Sequence, residues 1–272
     1  MMEEVLLPFK TELEQVQSIL SKSFRARAGN LLDLMRMDFS PVKNLTRPGL
    51  ILLAANLYNT VNRQVVFLAA ILQFIHTASQ IHKIVIENGS RMEQTDDFRN
   101  YCQLPVLIGD YLYSQVFVSL CDAGLSNYLR TFAELIGQLN EGCILKLKTD
   151  QEGLESEDSY LTVIEKESGQ VIAACCRISG ELAGAPEDGL NCLENLGLNL
   201  GMALGLAEEM TGNPEAAEVF FKDALNCLEF LPQGESRDLL KQFICLLHDE
   251  IICHTINIAE NKKLCKTKNY DG

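Results

Sequence analysis

The feature that most constrains the fold is the stretch Val65–Ile75, in which only Gln73 is strongly polar. A helix this apolar must be covered by protein on nearly every side, so we expect it to lie at the centre of the fold. Elsewhere apolar residues recur at spacings of three and four, as from Leu13 to Phe24, and no segment alternates as a half-buried strand does. The sequence therefore predicts an all-α, single-domain helical bundle.

The same periodicity predicts where most of the other helices lie. They are expected at about Val106–Leu120, Leu125–Leu147, Tyr160–Leu182, Leu190–Met210, Pro214–Leu228 and Arg237–Ile258. Pro48 suits the first position of one more helix, where its missing N–H needs no partner. Residues 1–260 are predicted to form the domain, and residues 261–272 a disordered tail.

Net charge narrows the class of partner. The chain has 23 Lys and Arg against 37 Asp and Glu, a formal charge of −14. Without a basic stretch it cannot neutralise a phosphate backbone, which argues against nucleic acid and anionic membranes as partners. The uninterrupted apolar run Val65–Leu72 is shorter than the roughly 18 residues that cross a bilayer, so the sequence does not predict an integral membrane protein. The N-terminus, with Glu3 and Glu4, is unlike a secretory signal, and a cytoplasmic location is expected.

Several short segments, in a fixed order between about residues 40 and 245, carry a family resemblance. They are Thr46–Leu50, Ile75–His82, Val106–Leu112, Ile172–Arg177 with Leu182–Ala185, Leu200–Leu204, and Leu231–Pro232 before Ser236–Arg237. Together they resemble the trans-isoprenyl diphosphate synthase (polyprenyl synthetase) family. The resemblance implies a bundle of long antiparallel helices around a central cavity, usually dimeric.

The resemblance also implies a metal-dependent chemistry, which this sequence does not match. In that family two Asp-Asp-x-x-Asp motifs hold Mg²⁺ ions that neutralise the departing diphosphate. The first motif is expected directly after His82, where this chain has Lys83-Ile84-Val85-Ile86-Glu87. Lys83 places a cation at the first carboxylate position, Ile84 removes the second, and Glu87 alone is acidic. The first motif is therefore interpreted as degenerate.

The second motif is partly retained. Glu208 and Glu209 stand at its first two positions, and Gly212 replaces the third carboxylate. Two adjacent carboxylates can hold a hard cation through oxygen, so they are a weak candidate metal site. The alternative is that both are solvated acids near the end of a helix.

Other positions of the family bind the diphosphate and the prenyl chain. Arg47 and His76 match the family's homoallylic diphosphate site, whereas Glu167 aligns with the lysine of a Lys-Thr pair. Ala78 and Ser79 align where bulky residues limit the length of the product. Small residues there predict an open apolar tunnel, and the alternative is simple helix packing.

Three functions remain open at this point. The favoured hypothesis is a noncatalytic or regulatory subunit, a homodimer or a heterodimer with an intact prenyl diphosphate synthase subunit, needing no cofactor of its own. A rival is an active Mg²⁺-dependent prenyltransferase that uses Glu87, Glu208 and Glu209. The third is a protein that binds an isoprenoid or another lipid.

Two helical faces bear on packing and partners. Tyr111, Tyr113, Phe117 and Leu120 form a broad apolar face, suited to a partner or to burial within the subunit. Glycine recurs every four positions, at Gly197, Gly201 and Gly205. Small residues on one face of a helix predict close approach of a neighbouring helix.

Overall fold

The computed structural model describes residues 2–26, 29–31, 41–89, 103–152, 156–208 and 214–268. Within these ranges, the side chains of residues 26, 30, 41–45, 84–89, 150, 214 and 254–268 are not described.

The described chain is helical almost throughout, which confirms the all-α prediction. The helices are α1 (Met2–Val5), α2 (Lys10–Ser23), α3 (Pro41–Asn56), α4 (Arg63–Gly89), α5 (Leu104–Asp122), α6 (Leu129–Glu152), α7 (Glu157–Ile164), α8 (Gln170–Ala183), α9 (Glu187–Glu208), α10 (Pro214–Cys227) and α11 (Glu235–Lys268). Short 3₁₀ turns lie at Leu7–Phe9, Ser126–Tyr128 and Leu228–Phe230, and a π-helical turn, Glu165–Gly169, joins α7 to α8. Strands β1 (Arg25–Ala26) and β2 (Gly29–Asn30) pair antiparallel, with Arg25 opposite Asn30.

Helix α4 is the central helix, as its apolar sequence predicts. It packs against α2, α3, α5 and α8. Leu68, Ile71 and Phe74 are fully buried in one continuous core with the inner faces of those helices. Because neighbours cover α4 on several sides, a sequence with almost no polar face is stable there.

Helix α3 begins earlier than the sequence predicts. The helix starts at Pro41, so Pro48 lies inside it, and the prediction of a start at Pro48 is wrong. Proline at this position removes the N–H that would bond one turn back. The complete burial of Leu50–Ala55 in the core explains why the helix nevertheless continues through it.

The glycines of α9 allow close packing against the π-helical turn and α8, which confirms the packing prediction. A Cβ atom at Gly201 would lie 2.7 Å from Cα of Gly169, and one at Gly197 would lie 2.8 Å from the carbonyl oxygen of Ile172. Real Cβ atoms do not approach so closely, so only glycine fits at these two contacts. This packing fixes the position of the turn that carries Glu167.

In the part of the chain that the structure describes, two helices have the length and composition of membrane spans, Arg63–Lys83 and Leu104–Asp122. The first is 78% buried inside the protein, as a core helix is. In the second, Tyr113 and Leu120 are buried within the subunit, whereas Leu107 and Val118 are 65% and 49% exposed. Burial therefore accounts for much of the apolar face predicted on α5, and the exposed apolar residues lie elsewhere on that helix.

Helix α11 extends to Lys268, past the point where the sequence predicts a disordered tail. The division of the chain at residue 260 stays a prediction.

Candidate functional site

Helices α3, α4 and α9 and the π-helical turn meet around a small cavity. Its lining combines charged and polar side chains with an apolar floor; the residues are Arg47, Leu72, Ile75, His76, Ser79, Gln80, Lys83, Leu139, Ile164, Glu167, Ser168, Val171, Ile172, Gly205 and Glu208. A volume of about 20 Å³ remains between them, room for about one water molecule. The side chains of the cavity thus fill most of it themselves.

Glu208, the last residue of α9, is held by three side chains from α3 and α4. Arg47 donates from Nη2 to Oε1 at 2.6 Å, and Gln80 donates from Nε2 to Oε2 at 3.1 Å. Nε2 of His76 lies 3.8 Å from Oε1. The Arg47 side chain is only 5% exposed, so its charge is compensated mainly by Glu208.

These partners fix the charge of Glu208. Desolvation opposes its ionisation, but the positive charge of Arg47 outweighs this effect, together with His76, the hydrogen bond from Arg47, and Lys83. The pKa of Glu208 is lowered from 4.5 to about 2. At neutral pH its carboxylate is ionised, and each of its two oxygens accepts a hydrogen bond from a described side chain.

A second ion pair crosses the same cavity. Nζ of Lys83, on α4, lies 2.6 Å from Oε2 of Glu167, and their side chains are 19% and 3% exposed. The absence of a side chain at Gly142 makes room, because a Cβ there would lie 3.0 Å from Cγ of Glu167. Burial and the nearby carboxylate of Glu167 raise the pKa of the Cys143 thiol to about 12, so this cysteine is a neutral neighbour of the pair.

The cavity therefore has a basic wall and an acidic wall. Arg47, His76 and Lys83 come from α3 and α4, and the two carboxylates come from α9 and the π-helical turn. Each acid faces a base, so the charges cancel inside the protein. Within the described ranges, no group of three or more His, Cys, Asp or Glu side chains is placed to hold a metal ion.

The structure brings together some of the predicted site residues and leaves others undescribed. Arg47, His76 and Glu208 meet directly. Ala78 is buried, and Ser79 lines the cavity. The side chains of Ile84 and Glu87, and the whole of Glu209, lie outside what the structure describes.

Sequence reasoning missed two contacts, namely Gln80 on Glu208 and Glu167 on Lys83. A signal for the second was available. A base stands at position 83 and an acid at position 167, each the opposite of the charge that the family resemblance implies. Opposite changes at two positions are typical of residues that touch.

Comparisons with known proteins agree on the family. The model of the family described as "Polyprenyl synthetase" matches residues 31–210. Octaprenyl diphosphate synthase of Escherichia coli (strain K12) is 24% identical over 211 residues, which are 73% of this chain and 65% of that protein. Heptaprenyl diphosphate synthase component 2 of Geobacillus stearothermophilus is 26% identical over 220 residues, 75% of this chain and 69% of that protein.

The fold agrees with a solved structure as well. A decaprenyl diphosphate synthase from Rhodobacter capsulatus superposes with a TM-score of 0.74 at 20% identity, covering 92% of this chain and 99% of that chain. The helical bundle, the matched segment and the position of the cavity residues within that segment lead to one conclusion. This chain belongs to the polyprenyl synthetase family and is a homologue of the polyprenyl diphosphate synthases of isoprenoid biosynthesis.

Proposed function

We propose that this chain is a noncatalytic subunit that acts together with a catalytically intact polyprenyl diphosphate synthase. The observation that carries the proposal is the ion pair between Lys83 and Glu167. Metal-dependent ionisation of an allylic diphosphate needs carboxylates that hold Mg²⁺. Here an ammonium group stands where the family resemblance implies the first of them, and it repels a divalent cation.

The second ion pair supports the same proposal. Glu208 stands at the first position of the second motif, and Arg47 donates a hydrogen bond to one of its oxygens at 2.6 Å. A metal ion would have to displace that guanidinium, and a diphosphate on Arg47 would have to displace Glu208. The described residues therefore do not fit a Mg²⁺ cluster.

The size of the cavity argues against a lipid-binding protein. A volume of about 20 Å³ does not admit a prenyl chain. Ala78 and Ser79 are small, as an open tunnel requires, and both are buried, at 0% and 5% exposed. We favour helix packing, the alternative, as the reason for their size.

A partner subunit is the second part of the proposal. Leu107 and Val118 expose apolar side chains on α5, on the solvent side of a helix whose other face is buried. Surfaces of this kind are typical of contacts between subunits. The Geobacillus relative is called component 2 of its synthase, which supports a two-component assembly for this chain too. We therefore favour a heterodimer over a homodimer.

The experiment measures prenyl transfer with Mg²⁺ by the lone chain, by an intact family member from the same organism, and by the two expressed together. We expect no turnover by the lone chain and a change in stability or product length of the intact subunit in the mixture. Leu107→Glu is the matched variant for the partner surface, because it changes one exposed residue that does not line the cavity. It should weaken co-purification and leave the fold of the lone chain intact.

The rival hypothesis, an active enzyme that uses Glu87, Glu208 and Glu209, makes the opposite prediction. Clear turnover by the lone chain, abolished by Glu208→Gln, would overturn the proposed function. Turnover that survives Glu208→Gln would point to a contaminating enzyme, which a mock purification identifies.

A further inference from the structure

The far end of helix α11 carries a cluster of positive charge. Residues 262–268 contain four lysines and no acid, namely Lys262, Lys263, Lys266 and Lys268. The backbone is helical through this cluster as far as Lys268. The charge of −14 includes these four positive charges, so the rest of the chain carries −18. The sequence prediction against anionic membranes, which assumed that the chain has no basic stretch, does not cover this end of the chain.

The register of α11 predicts that this cluster lies beyond the core. One face of the helix is buried at spacings of three and four, and the exposure rises from 0% at Ile244 to 3% at Leu247 and 8% at Ile251. The same face continues through Ile258 and reaches Lys262 four residues later. Because burying a lysine without an acid is costly, we expect the helix to stop packing on the core after about residue 258.

A second row of apolar residues on α11 ends at the same level. Ile252 packs against a smaller buried cluster. On its side of the helix Ile256 and Ala259 follow, and the next positions are Lys263 and Lys266. Both rows therefore change from apolar residues to lysine within about one turn. This coincidence indicates an end of the packed part of the helix rather than a single polar position within it.

The helix dipole explains only part of the cluster. Positive side chains are favourable in the last turn of a helix, where the carbonyl groups lack partners. The last turn of α11 contains Lys266 and Lys268. Lys262 and Lys263 stand one turn earlier, where this effect has fallen off. A negatively charged surface outside the domain accounts for all four lysines.

We propose that the end of α11, from about residue 259 to Lys268, docks on an anionic lipid surface. Charge complementarity supports this occupant, because clusters of four or more basic residues on a helix bind acidic lipid headgroups. The acidic body is repelled by the same surface, but salt screens this repulsion over about 8 Å at physiological ionic strength. Lys268 stands ten residues past Ile258, about 15 Å along a helix. The lysines can therefore reach the headgroups while the body stays beyond the range of strong repulsion.

A location at a lipid surface suits the proposed function. The relatives are named for octaprenyl and heptaprenyl diphosphate, whose long apolar chains partition out of water. An assembly that contains such a synthase would release its product beside the bilayer. In this respect the inference rests on the proposed function, whereas the binding of lipid by the lone chain does not depend on it.

The test measures co-sedimentation of the full chain with lipid vesicles. One set of vesicles contains phosphatidylcholine alone, and the other contains one part phosphatidylglycerol to two parts phosphatidylcholine, each at about 0.05 M and about 0.5 M salt. The variants are Lys262→Gln/Lys266→Gln and the charge reversal Lys262→Glu/Lys266→Glu. The matched control is Lys222→Gln/Lys241→Gln, which removes two exposed lysines from α10 and from the packed part of α11.

We expect wild type and the control to bind the anionic vesicles at low salt and to dissociate from them at high salt. A lysine near an anionic surface strengthens binding about fivefold. Lys262→Gln/Lys266→Gln should therefore bind about 10–25-fold more weakly than wild type, and the charge reversal more weakly still. Vesicles of phosphatidylcholine alone should bind none of these chains.

Three results would overturn the proposal. They are failure of wild type to bind anionic vesicles at low salt, equal binding to both kinds of vesicle, and a loss of binding in the control as large as in Lys262→Gln/Lys266→Gln. Salt-dependent self-association of wild type without vesicle binding, lost in the same variant, would also overturn it and would assign the lysines to an acidic protein surface.

Folding and function can be separated from lipid binding. Circular dichroism checks each variant, and we expect no change because the substituted lysines lie past the packed part of the helix. Prenyl transfer by the lone chain would contradict the proposed function and leave vesicle binding unchanged. Loss of vesicle binding would not alter prenyl transfer by an intact partner in solution, so the two failures are distinguishable.

Discussion

Two ion pairs of the same length lie in very different surroundings. Lys83 and Glu167 meet at 2.6 Å across the cavity, with side chains 19% and 3% exposed. Arg177 and Glu187 also meet at 2.6 Å, but their side chains are 25% and 68% exposed. Water solvates the second pair and screens it, whereas the first pair would lose most of its solvation if one partner were removed. The two distances are equal, so distance does not predict which pair contributes more to stability. Burial does.

The largest effect is expected from breaking the buried pair. Lys83→Met leaves the carboxylate of Glu167 buried without its cation, which should lower the free energy of unfolding by about 3–5 kcal/mol. Urea denaturation followed by circular dichroism measures this. The control is the exchange Lys83→Glu/Glu167→Lys, which restores an ion pair and should recover a large part of the loss. A loss below about 1 kcal/mol for Lys83→Met would show that water reaches this pair. The pair would then not differ from the exposed pair of Arg177 and Glu187.

The next effect concerns acid stability and Glu208. Its pKa is lowered from 4.5 to about 2 in the folded chain, so its contribution is complete above about pH 4.5 and is lost as the pH falls toward 2. Glu208→Gln lacks this contribution. We expect the stability difference between wild type and variant to be largest near neutral pH and to shrink between pH 4.5 and 2, as denaturation curves at a series of pH values would show. A difference independent of pH in this window would contradict the assignment.

A smaller effect is expected at His248, where stability should depend on pH in the opposite direction. This residue lies on α11 and contacts Glu218 of α10. Desolvation opposes its protonation, but hydrogen bonds with Glu218 at 2.6 Å and Asp249 at 3.0 Å raise its pKa above the ordinary 6.5. Its contribution is therefore complete below pH 6.5 and is lost as the pH rises through the raised pKa. His248→Gln should remove this slope, with a change in stability below about 1 kcal/mol because the site is partly solvated. If the free energy of unfolding of His248→Gln changed with pH between 6 and 8.5 as that of wild type does, the pH dependence would not come from His248.

The smallest effect is expected at the surface. Glu194, whose side chain is 47% exposed, pairs with Arg177 at 3.2 Å beside two further acids. Glu194→Gln should change the free energy of unfolding by less than about 0.5 kcal/mol, because the remaining acids and water compensate Arg177. Urea denaturation in 0.05 M and 0.5 M salt measures it. An effect as large as that of Lys83→Met would remove the distinction between the two regions.

Much of the fold was predictable because helical periodicity is a local signal. Helices α5, α9 and α10 lie close to their predicted bounds, whereas α4 and α11 extend well past theirs. The central position of α4 follows from its lack of a polar face. The start of α3 was not predictable, because the packing that keeps Pro48 inside a helix comes from residues distant in the chain. The π-helical turn at Glu165–Gly169 carries no periodicity of its own, and its close contact with Gly201 explains where it lies.

Only part of the candidate site was predictable, because its contacts also join residues that are distant in the chain. Arg47, His76 and Glu208 were predicted as separate remnants of two different sites, because a family resemblance places residues one by one. In the structure they form one cluster, since α3, α4 and α9 meet at the cavity. The pairing of Lys83 with Glu167, 84 positions later by their numbering, depends on the same meeting of helices.

The sequence by itself determined the helical architecture, the family and the residues that stand at each family position, because these depend on local pattern and on residue identity. Only the tertiary structure decided which charges meet. An acid or a base can have the same neighbours in sequence and be solvated, paired or metal-bound, and its free energy depends on what the fold brings within a few ångströms and on how much water it excludes. In this chain the fold brings the basic wall against the acidic wall, and the cavity is neutralised from within.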